Sequence, residues 1–269
     1  MTLLPPPPPL IPVPKSASRA APAAPTPRPA PTPVLSPPPS PVIADAPAVT
    51  KDELLATPRH HARGTFITFE GQDGTGKTMQ AAALTAHLSA AGRHVLSTTE
   101  PGGTDIGQMI REIVLNNQLY VDPQAEALLF AADRAQHVNT RVIPALQRGD
   151  TVIQDRYIDS SVAYQGAGRV LNPREIRDLS MWAASGLEPD LTILLDMDPE
   201  TARGRAGGTG EPLDRLEDED HEFRSRLRQS FLDIARRDPK RVLVIDGDRP
   251  FAAVADEIKQ KVDQWLLNQ

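Results

Sequence analysis

From Gly64 to the C-terminus, short apolar runs alternate with longer stretches in which apolar residues recur at helical spacing. Strands that are apolar at successive positions, rather than at alternate ones, are covered on both faces. When helix-length segments separate them, they pair in parallel through crossover helices. The pattern predicts strands at 66–70, 94–98, 151–155, 191–196 and 242–246. It predicts helices near 77–91, 105–116, 123–148, 173–185, 217–237 and 250–266, with Pro144 kinking or breaking the third of these. The expected fold is α/β, a three-layer α/β/α sandwich around a five-stranded parallel sheet. In such a sheet ligands collect at the carboxyl ends of the strands, so the turns that follow strands are where chemistry is to be sought.

The segment before Gly64 has a different character. Of the 28 prolines in 269 residues, 19 precede residue 59, and apart from alanine this stretch has few apolar side chains and no periodicity. Such a chain buries too little surface to offset the entropy of ordering it, so residues 1–62 are expected to be a disordered Pro/Ala-rich tail. Polyproline runs at 5–9 and 37–39 read either as a flexible appendage or as a partner-recruiting element. The stretch 63–269 is expected to be one domain.

The absence of cysteine excludes thiol nucleophiles, thiolate metal sites and disulfides. No run is long enough for a membrane-spanning helix, and the first residues lack the basic-then-apolar pattern of a secretory signal, so a cytoplasmic protein without membrane contacts is expected. A net charge of −6 argues against binding a nucleic-acid polymer. Phosphate groups would have to be held by a local cluster of cations, as on a small nucleotide.

The first strand runs into Gly71-Gln72-Asp73-Gly74-Thr75-Gly76-Lys77-Thr78, with an alanine-rich helix behind it. Glycines let successive backbone N–H groups turn toward one phosphate, and the following helix offers its positive end to the same anion. Lys77 is positioned to bridge β- and γ-phosphates and Thr78 to ligate Mg²⁺, which makes this a P-loop and the fold one of the P-loop NTP hydrolase type. Motors, GTPases and kinases share that loop. No Asn-Lys-x-Asp string is present to read guanine.

The blocks that follow are more specific: Glu100-Pro101-Gly102-Gly103-Thr104, Phe130-Ala131-Ala132-Asp133-Arg134, Asp155-Arg156-Tyr157 leading through Ser161 to Tyr164-Gln165-Gly166, and Leu213-Asp214-Arg215-Leu216-Glu217. In this order and spacing, starting from Phe69-Glu70-Gly71, residues 64–269 resemble bacterial thymidylate kinases. The resemblance implies transfer of the γ-phosphoryl of ATP to dTMP, with Mg²⁺, in a homodimer packed through helices.

It also implies individual roles. Arg156 holds the acceptor phosphate, as a guanidinium can with two parallel hydrogen bonds. Asp155 helps to position Mg²⁺ and that phosphate. Arg111 matches a second phosphate contact, with a solvated surface arginine as the lesser reading. Phe130 and Arg134, four residues apart on one helix face, match the residues that stack on the pyrimidine and reach a base carbonyl; taken alone, Phe130 reads as a core aromatic. Ser161, Tyr164 and Gln165 match the lining of base and sugar, with the tyrosine where a 2′-hydroxyl would collide. Asp73 matches an acid near the acceptor 3′-hydroxyl, and Glu100 one near its phosphate and the metal; both are also ordinary turn residues.

A lid is expected at 203–212, with Arg205 steadying the migrating phosphoryl, Arg203 second, and Arg215 a further candidate. This lid carries fewer cations than is usual in the family. Thr99 stands where the family usually has arginine, and Met79 where it usually has a small polar residue. Two other readings stay open on the residues: a kinase of another nucleotide, and a nucleotide-binding regulatory module with little turnover.

Overall fold

The central strand β1 (Thr65–Glu70) is made of β-branched and aromatic residues that are buried on both faces along nearly its whole length. The computed structural model describes residues 64–207, 214–216 and 219–269, all within one compact unit. The expected tail, and positions 208–212 of the expected lid, lie outside the described residues. The other strands are β2 (Val95–Thr99), β3 (Thr151–Asp155), β4 (Leu191–Asp196) and β5 (Val242–Asp246). They form one sheet in the order β2-β3-β1-β4-β5, and every pairing is parallel.

Connections leave β1 toward the β2 edge and leave β3 and β4 toward the β5 edge. Their opposed courses open a crevice at the carboxyl ends of the central strands. On one face Ile67, Phe69, Ile193 and Leu195 pack against Leu84 and Leu88 of α1 (Lys77–Ala90) and against Ile258 and Val262 of α9 (Phe251–Leu267). The opposite face is covered by α2 (Asp105–Val114), α3 (Pro123–His137), α4 (Ile143–Arg148), α5 (Ile158–Ser161) and α8 (His221–Arg237), around Phe66, Val152 and Leu194. This is the expected three-layer sandwich. Among the described residues, no helix is long and apolar enough to cross a membrane.

Helix starts follow local chemistry. Thr104 accepts from Gly107 N–H at 3.0 Å ahead of α2, and Asp122 accepts from Gln124 N–H at 2.9 Å ahead of α3, with Pro123 in the first turn. The helix expected over 123–148 is interrupted by a π-helical turn at Val138–Val142, after which α4 carries Pro144 in its first turn. A proline cannot donate to the carbonyl four residues back and its ring crowds that carbonyl, so the ladder widens there.

Two stretches left without an expected helix are helical. Residues after β3 form α5 and a π-helical turn, Val162–Gly168. Residues 203–207 are the end of α7 (Pro199–Gly207). Both are too short to show a periodic signal and are held by packing. The remaining described helix, α6 (Pro173–Ala183), lies as expected.

A polar seam runs beneath the second layer. Thr68 and Thr192 share a 2.8 Å hydroxyl contact, and Arg241 donates to Thr192 at 2.8 Å and to Asp159 Oδ2 at 2.6 Å. At its inner end the fully buried Glu70 accepts from Tyr157 N–H at 2.8 Å and from Ser160 Oγ at 2.5 Å. Burial, and then the negative charge of Asp159, push the Glu70 carboxyl up from 4.5 to about 7, against the opposing pull of Ser160, Arg156 and the Tyr157 N–H. A carboxyl whose folded pKa is raised contributes stability that is present below about pH 4.5 and lost as pH rises through about 7. Glu70→Gln removes that dependence. The melting temperature of the variant relative to the parent is therefore expected to rise between about pH 5 and about pH 8, as read by thermal denaturation across that range.

Candidate active site

The loop after β1 is shaped by close packing. Gly76 has φ 88°, a left-handed conformation that opens α1 without a side-chain penalty, and a Cβ on Gly74 would overlap the Ala202 carbonyl of α7. Lys77 folds back over the loop and donates to Gln72 O at 2.7 Å, and Thr75 Oγ1 donates to the same carbonyl at 2.8 Å. Burial, aided by the like charge of Arg156, draws Lys77 down to about 8. Beside it, Thr78 Oγ1 donates to Asp155 Oδ2 at 2.5 Å, while Asp155 Oδ1 is buried with no hydrogen-bond partner. A hydroxyl and a carboxylate with an unused oxygen are hard donors that fit Mg²⁺, a cation that takes most of its remaining ligands from phosphate and water. No group of three His, Cys, Asp or Glu side chains able to hold a metal occurs among the described residues.

Arg156 follows β3 with φ 67°, a strained left-handed backbone for a residue with a side chain. Its N–H donates to Phe69 O at 2.9 Å. Nη1 reaches Gly71 O and Ser160 Oγ, both at 3.1 Å, and Nη2 donates to Asp73 Oδ1 and to Tyr164 Oη at 3.0 Å. Tyr164 Oη in turn donates to Asp73 Oδ2 at 2.6 Å. Burial works against both charges, but each supports the other. Arg156, with Lys77 and the Tyr164 hydroxyl, holds Asp73 down at about 2, and Asp73, Tyr164, Asp155 and Glu70 hold Arg156 well above its usual range.

A cleft of about 1110 Å³ lies over these residues. Its wall includes Asp73, Lys77, Glu100, Arg111, Phe130, Arg134, Asp155, Arg156, Ser161, Tyr164, Gln165 and Arg205, but neither Arg203 nor Arg215 of the expected transfer residues. Thr78 and the loop positions 74–76 also line it, whereas Gly71 and Gln72 are not part of its wall. Such a volume exceeds the roughly 300–1,000 Å³ of sites for a single small molecule.

Several expectations change in detail. Glu100 is buried, with Oε1 on His137 Nδ1 and Oε2 on Arg134 Nε, both at 2.9 Å. Its carboxylate is thus committed to these two side chains rather than to a metal. Arg134 also donates from Nη1 to Ser161 Oγ at 3.1 Å and Ser180 Oγ at 3.0 Å, and from Nη2 to Tyr157 O at 3.1 Å. Of the five N–H donors of a guanidinium, one is left for a ligand. Gln165 spends its amide on Glu126 at 2.9 Å. Arg215 is structural: it donates to Val114 O at 2.9 and 2.7 Å and to Glu126 Oε2 at 2.5 Å, and it does not line the cleft. Arg205 lines the cleft with its guanidinium on Gly247 O at 3.0 Å and Asp248 at 2.8 Å, whereas Arg203 is exposed and does not line it. Arg111 is exposed at the rim and donates to Pro101 O at 3.1 Å, and Thr99 Oγ1 donates to Asp155 O at 3.2 Å.

Residues that sequence reasoning passed over also shape the site. His137, three residues beyond Arg134 on α3, joins Glu100 to Thr98 Oγ1 at 2.7 Å, and Ser160 stands between Glu70 and Arg156. The three-residue spacing that puts Arg134 and His137 on one helix face was the available signal for the first. Arg134→Ala leaves Glu100 buried beside an unpaired cavity. It is expected to cost about 3–5 kcal/mol in chemical unfolding, and Arg134→Lys, with no planar fork, is not expected to restore it.

The chain is similar to known proteins. A family model described as thymidylate kinase matches residues 69–258. The thymidylate kinase of Leifsonia xyli subsp. xyli is 58% identical over 200 residues, which cover 74% of this chain and 95% of that one. The thymidylate kinase of Clavibacter sepedonicus is 56% identical over 198 residues, covering 74% and 94%. The crystal structure of thymidylate kinase from Ehrlichia chaffeensis superposes with a TM-score of 0.61 at 32% identity, covering 74% of this chain and 98% of its own. With more than half of the chain matched by the family and these relatives aligned almost end to end, the chain belongs to the thymidylate kinase family.

Proposed function

We propose that the protein phosphorylates dTMP to dTDP with ATP by direct in-line transfer, and that the two nucleotides meet over the carboxyl ends of β1 and β3. One observation carries this reading. A single cleft holds both the phosphate loop with the Thr78–Asp155 pair and, across the Arg156–Asp73 bridge, an aromatic and amide-lined pocket.

The loop N–H groups, Lys77 and the start of α1 hold the ATP phosphates. Thr78 and Asp155 hold Mg²⁺, which when bound neutralises charge on the β- and γ-phosphates. Arg156 and Arg111 hold the acceptor phosphate. Phe130 offers a face to the thymine, the remaining N–H of Arg134 a donor to its carbonyl, and Tyr164 a wall against a 2′-hydroxyl. A phosphate oxygen is already a nucleophile, so these side chains align and neutralise rather than abstract a proton. Arg205, on the donor side of the cleft, is the cation that stabilises the migrating group.

Exposed apolar side chains on α2 (Ile106, Met109, Ile113), α3 (Leu128) and α6 (Trp182) support a homodimer, so sedimentation at micromolar concentration is expected to give twice the chain mass. In a coupled ADP-release assay with a panel of monophosphates, dTMP is expected to be the preferred acceptor. Arg156→Ala should lower kcat/KM for dTMP on the order of 10²- to 10³-fold. ATP binding measured by titration should change little. Turnover of dTMP by the variant at the parent rate would refute the acceptor assignment.

A further inference from the structure

We infer that Glu70 is a positioning residue for Arg156: its buried carboxylate holds the strained turn and the hydroxyl that together aim the guanidinium at the acceptor phosphate. The inference rests on the reading of Arg156 given above. Glu70 is 1% exposed and is not part of the cleft wall, so it touches no ligand and acts only through its neighbours.

Those neighbours are the ones that decide where Arg156 points. One oxygen of Glu70 accepts the N–H of Tyr157 at 2.8 Å, the first peptide after the left-handed residue. A residue with a side chain keeps φ 67° only when surrounding bonds over-determine it. Here the peptide on the amino side of Arg156 is pinned to Phe69 O at 2.9 Å and the one on the carboxyl side to Glu70, so two successive residues of β1 clamp the turn. The other oxygen accepts from Ser160 Oγ at 2.5 Å. With its hydrogen committed to Glu70, Ser160 Oγ turns its lone pairs outward and accepts Arg156 Nη1 at 3.1 Å. One carboxylate thus orients both the backbone and the tip of the same arginine. An apolar residue at position 70 would leave Tyr157 N–H without an acceptor and free Ser160 to rotate.

The test compares steady-state kinetics of the full chain at about pH 8 for the parent, Glu70→Gln, Ser160→Ala and the double variant, with Arg156→Ala alongside. Glu70→Gln and Ser160→Ala are each expected to raise KM for dTMP about 5- to 10-fold, the worth of a typical net hydrogen bond, while KM for ATP moves by less than about 2-fold. Because both act through one chain of contacts, the double variant is expected to be no worse than about the larger single effect. KM for ATP rising as much as that for dTMP, unchanged KM for dTMP in both singles, or fully multiplicative effects in the double variant would each overturn the inference. Should Glu70→Gln fail to fold, Ser160→Ala decides alone by the same split. If Arg156→Ala leaves dTMP kinetics intact, it is the acceptor assignment that fails, whatever the Glu70 variants do.

Discussion

Arg156 lies at the meeting point of every part of the site. Its guanidinium is shared among Gly71 O and Asp73 of the phosphate loop, Ser160 of α5 and the Tyr164 hydroxyl, and it lies over the Tyr164 ring at 4.9 Å. A half-buried cation bound on several sides is fixed in direction, and the same bonds fix the loop relative to the end of β3. The donor and acceptor halves of the cleft therefore meet along one shared boundary. A shift of the phosphate loop moves Asp73, and with it the partner that Arg156 leans on.

The same device recurs around the acceptor pocket. Arg134, Glu100 and His137 form one closed cluster, and Glu126 gathers Arg169, Arg215 and Gln165 into another. Buried ion pairs of this kind return little net stability, because desolvation offsets their attraction. They are demanding of geometry, however, and breaking one strands a charge. Here they join α3 to β2, to α5 and to the residues just past the expected lid, so that Phe130 and Tyr164 face the cleft from a rigid frame. The low helical propensity and short length of α5 and its π-helical continuation suit this arrangement, since contacts rather than local propensity hold them.

The donor side is built differently. Arg205 comes from the last turn of α7 and rests on the loop after β5, half exposed, with bonds to one carbonyl and one surface carboxylate. Exposed pairs such as Arg205–Asp248 are worth little and exchange readily. A cation held this loosely can leave its partners for a phosphate at small cost, whereas Arg156 keeps its direction. The two arginines thus divide the work of fixing one nucleotide and closing over the other.

Much of this was legible in the chain itself. Apolar runs at strand length, separated by helix-length segments, specify a parallel sheet because only that arrangement covers both faces of each strand, and the phosphate loop is a local motif whose glycines and lysine act within a few residues of one another. The carboxyl ends of the strands marked where ligands collect, and the individual cleft-lining residues were named from the family resemblance of the blocks that carry them. What tertiary structure decided is where each side chain spends its bonds. Glu100 turns to Arg134 and His137, Arg215 to Glu126 and Val114, and Glu70 to Tyr157 and Ser160, across separations of 34 to 101 residues. No spacing rule reaches that far: hydrogen-bond partners inside a core are chosen by which atoms the packed layers bring within about 3 Å, and that is a property of the whole fold.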